Sequence, residues 1–234
     1  MLLHTPAYLL FLAGACAVYW LAPSPRWRKL TLLAASYGFY AAFDVRFAGL
    51  LLGLTVVIYA LGRAMPDSPR ARLYLWLSVA INLGVLGVFK YAGFFLASVL
   101  GSFKALGLDT PPPALRLLLP VGVSFYTFQA IAYTAEIYRN KIKPAASFED
   151  FALYLAFFPK LIAGPFVRPA DFLRQLAGPA ALPGRQAVGF ALSLLLLGLT
   201  KKVLIADSLT VLADVAFRAA AWPPGRWPFP TPLY

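Results

Sequence analysis

The stretch LYLWLSVAINLGVLGVFKYAGFFLASVLGSF, Leu73–Phe103, holds a single charged residue, Lys90, among 31 positions. A helix needs roughly 20 apolar residues to cross a hydrocarbon core about 30 Å thick. At 1.5 Å per residue this one would reach roughly 46 Å, so it projects beyond a bilayer or breaks near Lys90. Apolar runs of the same kind flank it. Before it come Thr5–Leu21, closed by Pro23, Pro25 and the basic run Arg26, Arg28, Lys29, then Leu30–Phe43 and Phe47–Leu61. After it come Leu117–Tyr138 and Ala187–Leu199, with a mixed apolar segment over Val203–Phe217. Pro111–Pro113 mark a turn or linker, because three prolines cannot continue a helix. The expected architecture is a single all-α integral membrane domain, a multi-span bundle of tilted helices.

Composition agrees. Apolar residues make up 61% of the 234-residue chain and charged residues 13%, against about 45–50% and 25% in soluble domains. One core of this size could not hide so much apolar surface from water. The formal net charge of +12 would suggest nucleic acid in a soluble protein. Here the cations fall in short gaps between apolar runs and make no stripe along which a phosphate backbone could lie, so a nucleic-acid partner is set aside. The placement fits the positive-inside pattern and attraction to anionic lipid headgroups. Arg26–Lys29, Gly62–Arg72 and Arg139–Lys143 are all basic and are expected to be cytoplasmic. The parity of the spans then puts the N-terminus outside.

One segment does not read as a span. Phe151–Phe166 is apolar but broken by Pro159, Lys160, Gly164 and Pro165. Irregular backbone at membrane depth is tolerated where it is buried in protein or lines a cavity, so a re-entrant or interfacial segment is expected. That context singles out Lys160, and Arg168 beyond it, as near a substrate or headgroup path.

Ionisable and polar groups inside apolar runs are the other irregularity. Such groups are costly in lipid and usually face a bundle interior or a water-filled cavity. The span Leu117–Tyr138 carries Ser124, Tyr126, Thr127, Gln129, Tyr133, Thr134 and Glu136. Gln129 and Tyr133 share a helix face, as do Tyr126 and Tyr133. Two readings stand side by side: hydrogen-bond glue between helices, about 0.6 kcal/mol each, or the polar wall of a substrate tunnel. Glu136 lies one turn from the cytoplasmic end near Arg139, and an ion pair is expected there. Lys90 either snorkels to an interface or lines a cavity. Lys201 and Lys202 end a span and read as interfacial anchors, with Asp207 just beyond.

Recognisable catalytic units are missing from the sequence. It contains no HExxH, no Cys/His metal spacing, no phosphate-binding loop and no GxSxG. The one cysteine, Cys16, makes neither an intrachain disulfide nor a metal site. The one histidine, His4, stands before the first span with nothing to orient it, so a solvated interfacial residue is expected rather than a general base. The chain stops at Thr231-Pro232-Leu233-Tyr234, where apolar residues resume after a Pro- and Trp-rich loop. The expectation is a fragment of a longer protein.

Leu119-Pro120-Val121-Gly122-Val123-Ser124-Phe125-Tyr126-Thr127-Phe128-Gln129, followed by Tyr138-Arg139, resembles the hallmark of bacterial membrane-bound O-acyltransferases of the alginate O-acetylation type. Three further blocks match in order: Asn82-Leu83-Gly84 through Phe89-Lys90-Tyr91, Phe157 through Pro165, and Gly198 through Lys201-Lys202 to Ile205-Ala206-Asp207. The D-alanyl transferases of teichoic acid modification belong to the same family and resemble the chain less. The resemblance implies a ring of tilted helices around a central tunnel in the bacterial inner membrane. It implies acyl transfer to hydroxyls of an exported polysaccharide such as alginate. The donor, acetyl-CoA or another activated acyl carrier, is a substrate reached from the cytoplasm, and no bound cofactor is implied. The acceptor lies outside and is the polysaccharide or a separate periplasmic acyltransferase. The family's catalytic base is a membrane-embedded histidine in the C-terminal half, which has no counterpart here. The expectation is therefore the front half of such an enzyme, with tunnel wall and scaffold but no catalytic residue. Ser124, Tyr126, Gln129, Tyr133, Lys160 and Arg168 are the candidate substrate-path residues. Lys90, Glu136, Lys201, Lys202 and Asp207 are candidate structural or interfacial ones. A transporter or channel, and a non-catalytic subunit, are the competing readings; no inverted repeat supports the first.

Overall fold

Ser24 and Pro25 show how the chain starts its helices. The Ser24 hydroxyl accepts from Trp27 N at 3.4 Å, and proline occupies the first helical position, where its missing N–H costs nothing. The helix Pro25–Ala41 (α2) therefore begins just ahead of the basic run and contains it, and does not start after it at Leu30 as expected. The computed structural model describes residues 5–105, 120–162, 164–178 and 184–219, all helix, turn or irregular segments. His4, Pro111–Pro113, the first residues of the predicted fifth span and the C-terminal Pro/Trp-rich loop lie outside the described residues.

The chain divides into two units, Leu9–Pro179 and a second made of Met1–Tyr8 with Ala180–Tyr234. Helix α1 (Pro6–Leu21) is followed by α2, α3 (Val45–Ala64) and α4 (Ala71–Ala105). In the first unit Phe11 of α1 packs its ring against Phe39 and Phe158 at 5.5 and 5.0 Å. Asp44 caps α3 by accepting from Arg46 N at 2.7 Å. Helix α4 runs unbroken for 35 residues, about 52 Å. Lys90 does not interrupt it, since lysine is a good helix former. Its side chain is exposed, with the ammonium 5.5 Å from the Tyr91 ring centroid.

Helix α5 (Val123–Tyr138) starts at Val123, not at Leu117 as predicted. Pro120 and a left-handed Gly122 (φ 77°) turn the chain into it. It packs on α4 through Ser78 Oγ and Thr134 Oγ1, 3.0 Å apart. Against α3 the approach is close at Gly62, where a Cβ would come within 2.9 Å of Tyr133 Cε1.

The broken segment resolves into α6 (Phe148–Ala156), a single extended residue Phe157, and the one-turn α7 (Phe158–Leu161); irregular backbone then leads to α8 (Pro169–Ala177). Proline explains the break. Pro159 has no N–H to return to the Leu155 carbonyl, and its ring would collide with it. Phe151–Ala156 are all buried, so this segment lies inside protein and not against lipid. Phe158 N donates to Ser36 Oγ at 3.2 Å, which holds the restart against α2. Two ion pairs clasp α2 to the first turn of α6: Lys29 Nζ to Asp150 Oδ1 at 2.6 Å and Arg26 to Glu149 at 3.6 Å. The second is mostly exposed and contributes little. The first is largely buried and also complements the helix dipole. A Lys29→Ala/Asp150→Ala double-mutant cycle, read by thermal melting in detergent, is expected to give a coupling of about 1 kcal/mol.

In the second unit, α9 (Arg185–Thr200), a π-helical turn (Lys201–Ala206) and α10 (Asp207–Ala219) form one helical run. The predicted span 187–199 is thus extended at both ends. Phe190, Leu192, Leu194, Leu196 and Leu204 are all exposed along it, and a helix apolar on every side belongs in lipid or a large core. Lys202 pairs with Asp207 on its exposed surface, with Lys201 exposed beside them. Three helical stretches among the described residues are long and apolar enough to cross a membrane: Val45–Ala64, Ala71–Tyr91 and Arg185–Asp214. The chain is an all-α membrane protein.

Candidate functional site

The core of the first unit is unusually rich in hydroxyls and rings. Tyr40, Tyr126, Tyr133, Tyr154 and Phe151 are fully buried there. Tyr40 donates to the Val121 carbonyl at 2.8 Å, and Tyr133 accepts from Ala145 N at 3.0 Å. These two hydroxyls pin the entry to α5 and the approach to α6. The Tyr126 hydroxyl, 0% exposed as a residue, has no hydrogen-bond partner among the described residues.

Lys160 stands at the centre. It is 3% exposed. Its ammonium donates to Gln129 Oε1 at 2.8 Å. It also lies 4.0 Å from the Tyr154 ring centroid and 4.6 Å from that of Phe172. No carboxylate pairs with it among the described residues. Burying an ammonium costs several kcal/mol. One charge-assisted hydrogen bond returns about 1.5–3 kcal/mol, and a desolvated cation–π contact about 2 kcal/mol. These contacts offset part of that cost.

Backbone geometry forces Lys160 inward. A Cβ on Gly164 would lie 2.2 Å from Lys160 Cα, and one on Gly122 would lie 2.4 Å from the Leu161 carbonyl oxygen. The two glycines let α7 pack tightly between the start of α5 and the irregular segment beyond, which leaves Lys160 facing α5. Gln129 is on the facing side of α5, 2% exposed, with Tyr154 donating to its backbone carbonyl at 3.4 Å.

Beside this pair opens a cleft of about 120 Å³ lined by Gln129, Ala132, Glu136, Tyr154, Phe166 and Arg168, among others. Two buried polar atoms on its lining residues have no partner among the described residues: Gln129 Nε2 and Glu136 Oε2. The expected ion pair between Glu136 and Arg139 is not formed. Arg139 is the C-cap of α5 with φ −82° and ψ 6°, past the last helical turn, and its side chain is exposed. The cleft thus offers a buried donor, a buried acceptor two helical turns away and an exposed guanidinium at Arg168. It can hold a small, largely uncharged group through complementary hydrogen bonds. Among the described residues no group of three His, Cys, Asp or Glu side chains could hold a metal ion.

Of the residues singled out from sequence, Gln129, Lys160 and Arg168 come together here. Tyr133 lies in the same core with its hydroxyl spent on Ala145. Tyr126 lies nearer Tyr40, their ring centroids 6.4 Å apart. Ser124 is half-buried near the start of α5, and its backbone carbonyl accepts from Thr127 Oγ1 at 3.1 Å. Tyr154 and Phe172, the two rings over the ammonium, were not anticipated. They lie six residues before and twelve after Lys160, and no sequence spacing brings them together.

Comparison with known proteins places this architecture. Probable alginate O-acetylases of Azotobacter vinelandii and Pseudomonas aeruginosa are 38% and 39% identical to the chain over 89% of its length. A peptidoglycan O-acetyltransferase of Helicobacter pylori is 32% identical over 94% of it. The chain covers 42%, 40% and 47% of these proteins respectively, so it spans less than half the length of the relatives it matches. No family model matches the chain, and no solved structure matches it. The chain is thus similar, over about nine-tenths of its length and on a helical membrane scaffold, to O-acetylases named for two different glycans, alginate and peptidoglycan.

Proposed function

We propose that this chain is the N-terminal portion of a membrane-bound O-acyltransferase of the bacterial inner membrane. Its reaction is O-acetyl transfer to hydroxyls of an exported polysaccharide such as alginate. The observation that carries this reading is the similarity over nine-tenths of the chain to alginate O-acetylases. The acceptor hydroxyl oxygen attacks the carbonyl carbon of an acyl thioester such as acetyl-CoA. The carbon–sulfur bond breaks, and the hydroxyl proton passes to a general base and from it to the departing thiolate, which leaves as the thiol. The relatives' additional length leaves room for that base outside this chain. Within it, the helices form part of the wall of a central tunnel, and Gln129, Lys160 and Arg168 line the substrate path. The basic segments Arg26–Lys29, Gly62–Arg72 and Arg139–Lys143 face the cytoplasm, with the N-terminus outside. The donor enters from the cytoplasmic side, and the acceptor is the polysaccharide or a periplasmic transferase that passes the acetyl group on.

The test uses the full-length protein that contains this chain, expressed in an alginate-producing strain deleted for its own O-acetylase. Restored acetyl esters on the exported polymer, measured by proton NMR, are expected; none above the deletion background would reject the function. In the same strain Gln129→Leu is expected to lower acetylation at least about tenfold, the loss of roughly 1.4 kcal/mol of transition-state binding, with unchanged membrane abundance. Unchanged acetylation would reduce Gln129 to a packing residue.

A further inference from the structure

A lysine ammonium has only donors, so the carboxamide facing it must present its oxygen. The 2.8 Å contact from Lys160 Nζ to Gln129 Oε1 therefore decides which way the Gln129 amide points. Its NH2 group is directed elsewhere, and it is buried at the wall of the cleft with no partner among the described residues. Without Lys160 the amide could turn over at little cost, since the terminal torsion of glutamine is broad and roughly two-fold. A buried amide NH2 left unpaired is uncommon in folded proteins and calls for a reason. Glu136, seven residues along the same helix and so on the same face, also lines the cleft and has an unpartnered buried oxygen. Two orphaned groups of opposite hydrogen-bonding sense on one cleft wall point to a ligand and not to an isolated packing defect.

We propose that Lys160 is a positioning residue that locks the Gln129 carboxamide with its NH2 toward the cleft. There Gln129 donates to an uncharged oxygen of the bound reactant, a carbonyl oxygen or a hydroxyl oxygen. Lys160 itself does not touch that reactant. Tyr154 and Phe172 hold the ammonium against the amide by their ring faces. A carboxylate in their place would pull the ammonium away from Gln129 Oε1. The proposal rests on the acyl-transfer reading for its reactant, but the amide orientation stands apart from it.

The experiment is a double-mutant cycle in the full-length protein, with steady-state acetyl transfer measured in membrane vesicles. Lys160→Met and Gln129→Leu are each expected to lower kcat/KM by ten- to a hundredfold, and the double variant to be no worse than Gln129→Leu alone. Lys160→Arg, which keeps a donor, should recover part of the loss. A raised KM for the acyl donor assigns the Gln129 partner to the thioester carbonyl, and a raised KM for the acceptor assigns it to the hydroxyl. Losses that multiply in the double variant would overturn the proposal. So would full activity of folded Lys160→Met, or failure of both Lys160 variants to fold. A second readout needs no turnover: the side-chain amide signal of Gln129 in 15N-glutamine-labelled protein, assigned by its loss in Gln129→Leu. It should move in Lys160→Met and stay in place in Lys141→Met. If the wild type transfers no acetyl group but this signal moves, the function fails and the positioning stands. An unmoved signal overturns the positioning.

Discussion

Gly122→Val in the full-length protein should lower the amount of folded material in the membrane, one of the two largest losses expected from one substitution in the first unit. Two costs coincide at this position. Gly122 has φ 77°, a region that costs an L-residue about 1–2 kcal/mol and is worst for a β-branched one. Its Cβ would also stand 2.4 Å from the Leu161 carbonyl oxygen and 3.3 Å from Ile162 Cα. Both neighbours are backbone, so no side chain can swing aside. Leu161 is fully buried, and its N–H is bonded to the Phe157 carbonyl at 3.0 Å. Relief requires moving α7 as a body, and with it Lys160. Overpacking adds about 1–3 kcal/mol, for a total near 2–5 kcal/mol against a usual stability of 5–15 kcal/mol. Gly84→Ala is the control. It lies inside α4 with nothing within 4 Å of a Cβ, and alanine in a helix should be neutral or stabilising. The check is the monodisperse fraction and the melting temperature in detergent. Equal behaviour of the two variants would refute the clash.

How much of this could be read beforehand depends on which physical signal each feature leaves in the sequence. The helices α3, α4 and α9 were legible because a bilayer demands long apolar runs, and hydropathy reports that directly. The broken segment was legible because Pro159, Lys160, Gly164 and Pro165 cannot belong to a continuous lipid-facing span. The start of α2 is harder to see because its first turn is charged, although Ser24 and Pro25 are a strong local signal for a helix N-terminus. Lys160 and Gln129 stood out one at a time, each as a polar group in an apolar context. Their pairing across 31 residues leaves no trace in periodicity, because it follows from how α7 folds back on α5. The Glu136–Arg139 pair was expected from helical spacing and failed because Arg139 is already beyond the helix. Spacing rules hold inside an element and lapse at its cap. The rings over the ammonium are the clearest case of a feature set by tertiary structure alone. Tyr154 and Phe172 belong to two helices, α6 and α8, that are separated in sequence by α7 and the irregular segment after it.

Tyr133→Ala should be the second large loss, and it should rescue a substitution that is harmful by itself. Tyr133 is fully buried, its ring centroid 4.4 Å from that of Phe151. Truncation removes a phenol from the contact between α3, α5 and α6, where typical large-to-small changes cost about 3–5 kcal/mol. That cost survives in a bilayer, since lost dispersion contacts and a void do not depend on water. Tyr133→Phe separates the ring from the hydroxyl. It leaves the Ala145 N–H buried without its acceptor, worth about 1–3 kcal/mol. Gly62 supplies the internal check. A Cβ there would come within 2.9 Å of Tyr133 Cε1 and 3.2 Å of Ile137 Cδ1, so Gly62→Ala should be destabilising in the wild type. In Tyr133→Ala the nearer obstacle is gone and the new methyl enters the void, so the same change should cost little or even stabilise. Melting temperatures of the four proteins in detergent measure the coupling. Additive losses would mean that α3 and α5 do not meet at this glycine. The consequence reaches the cleft, because Ala145 lies two residues before Ser147, whose side chain caps α6 by accepting from Asp150 N at 3.1 Å. Tyr154 is borne on α6 and Lys160 on the turn that follows. Slack at Ala145 should therefore lower acetyl transfer in Tyr133→Phe even at temperatures where the protein stays folded.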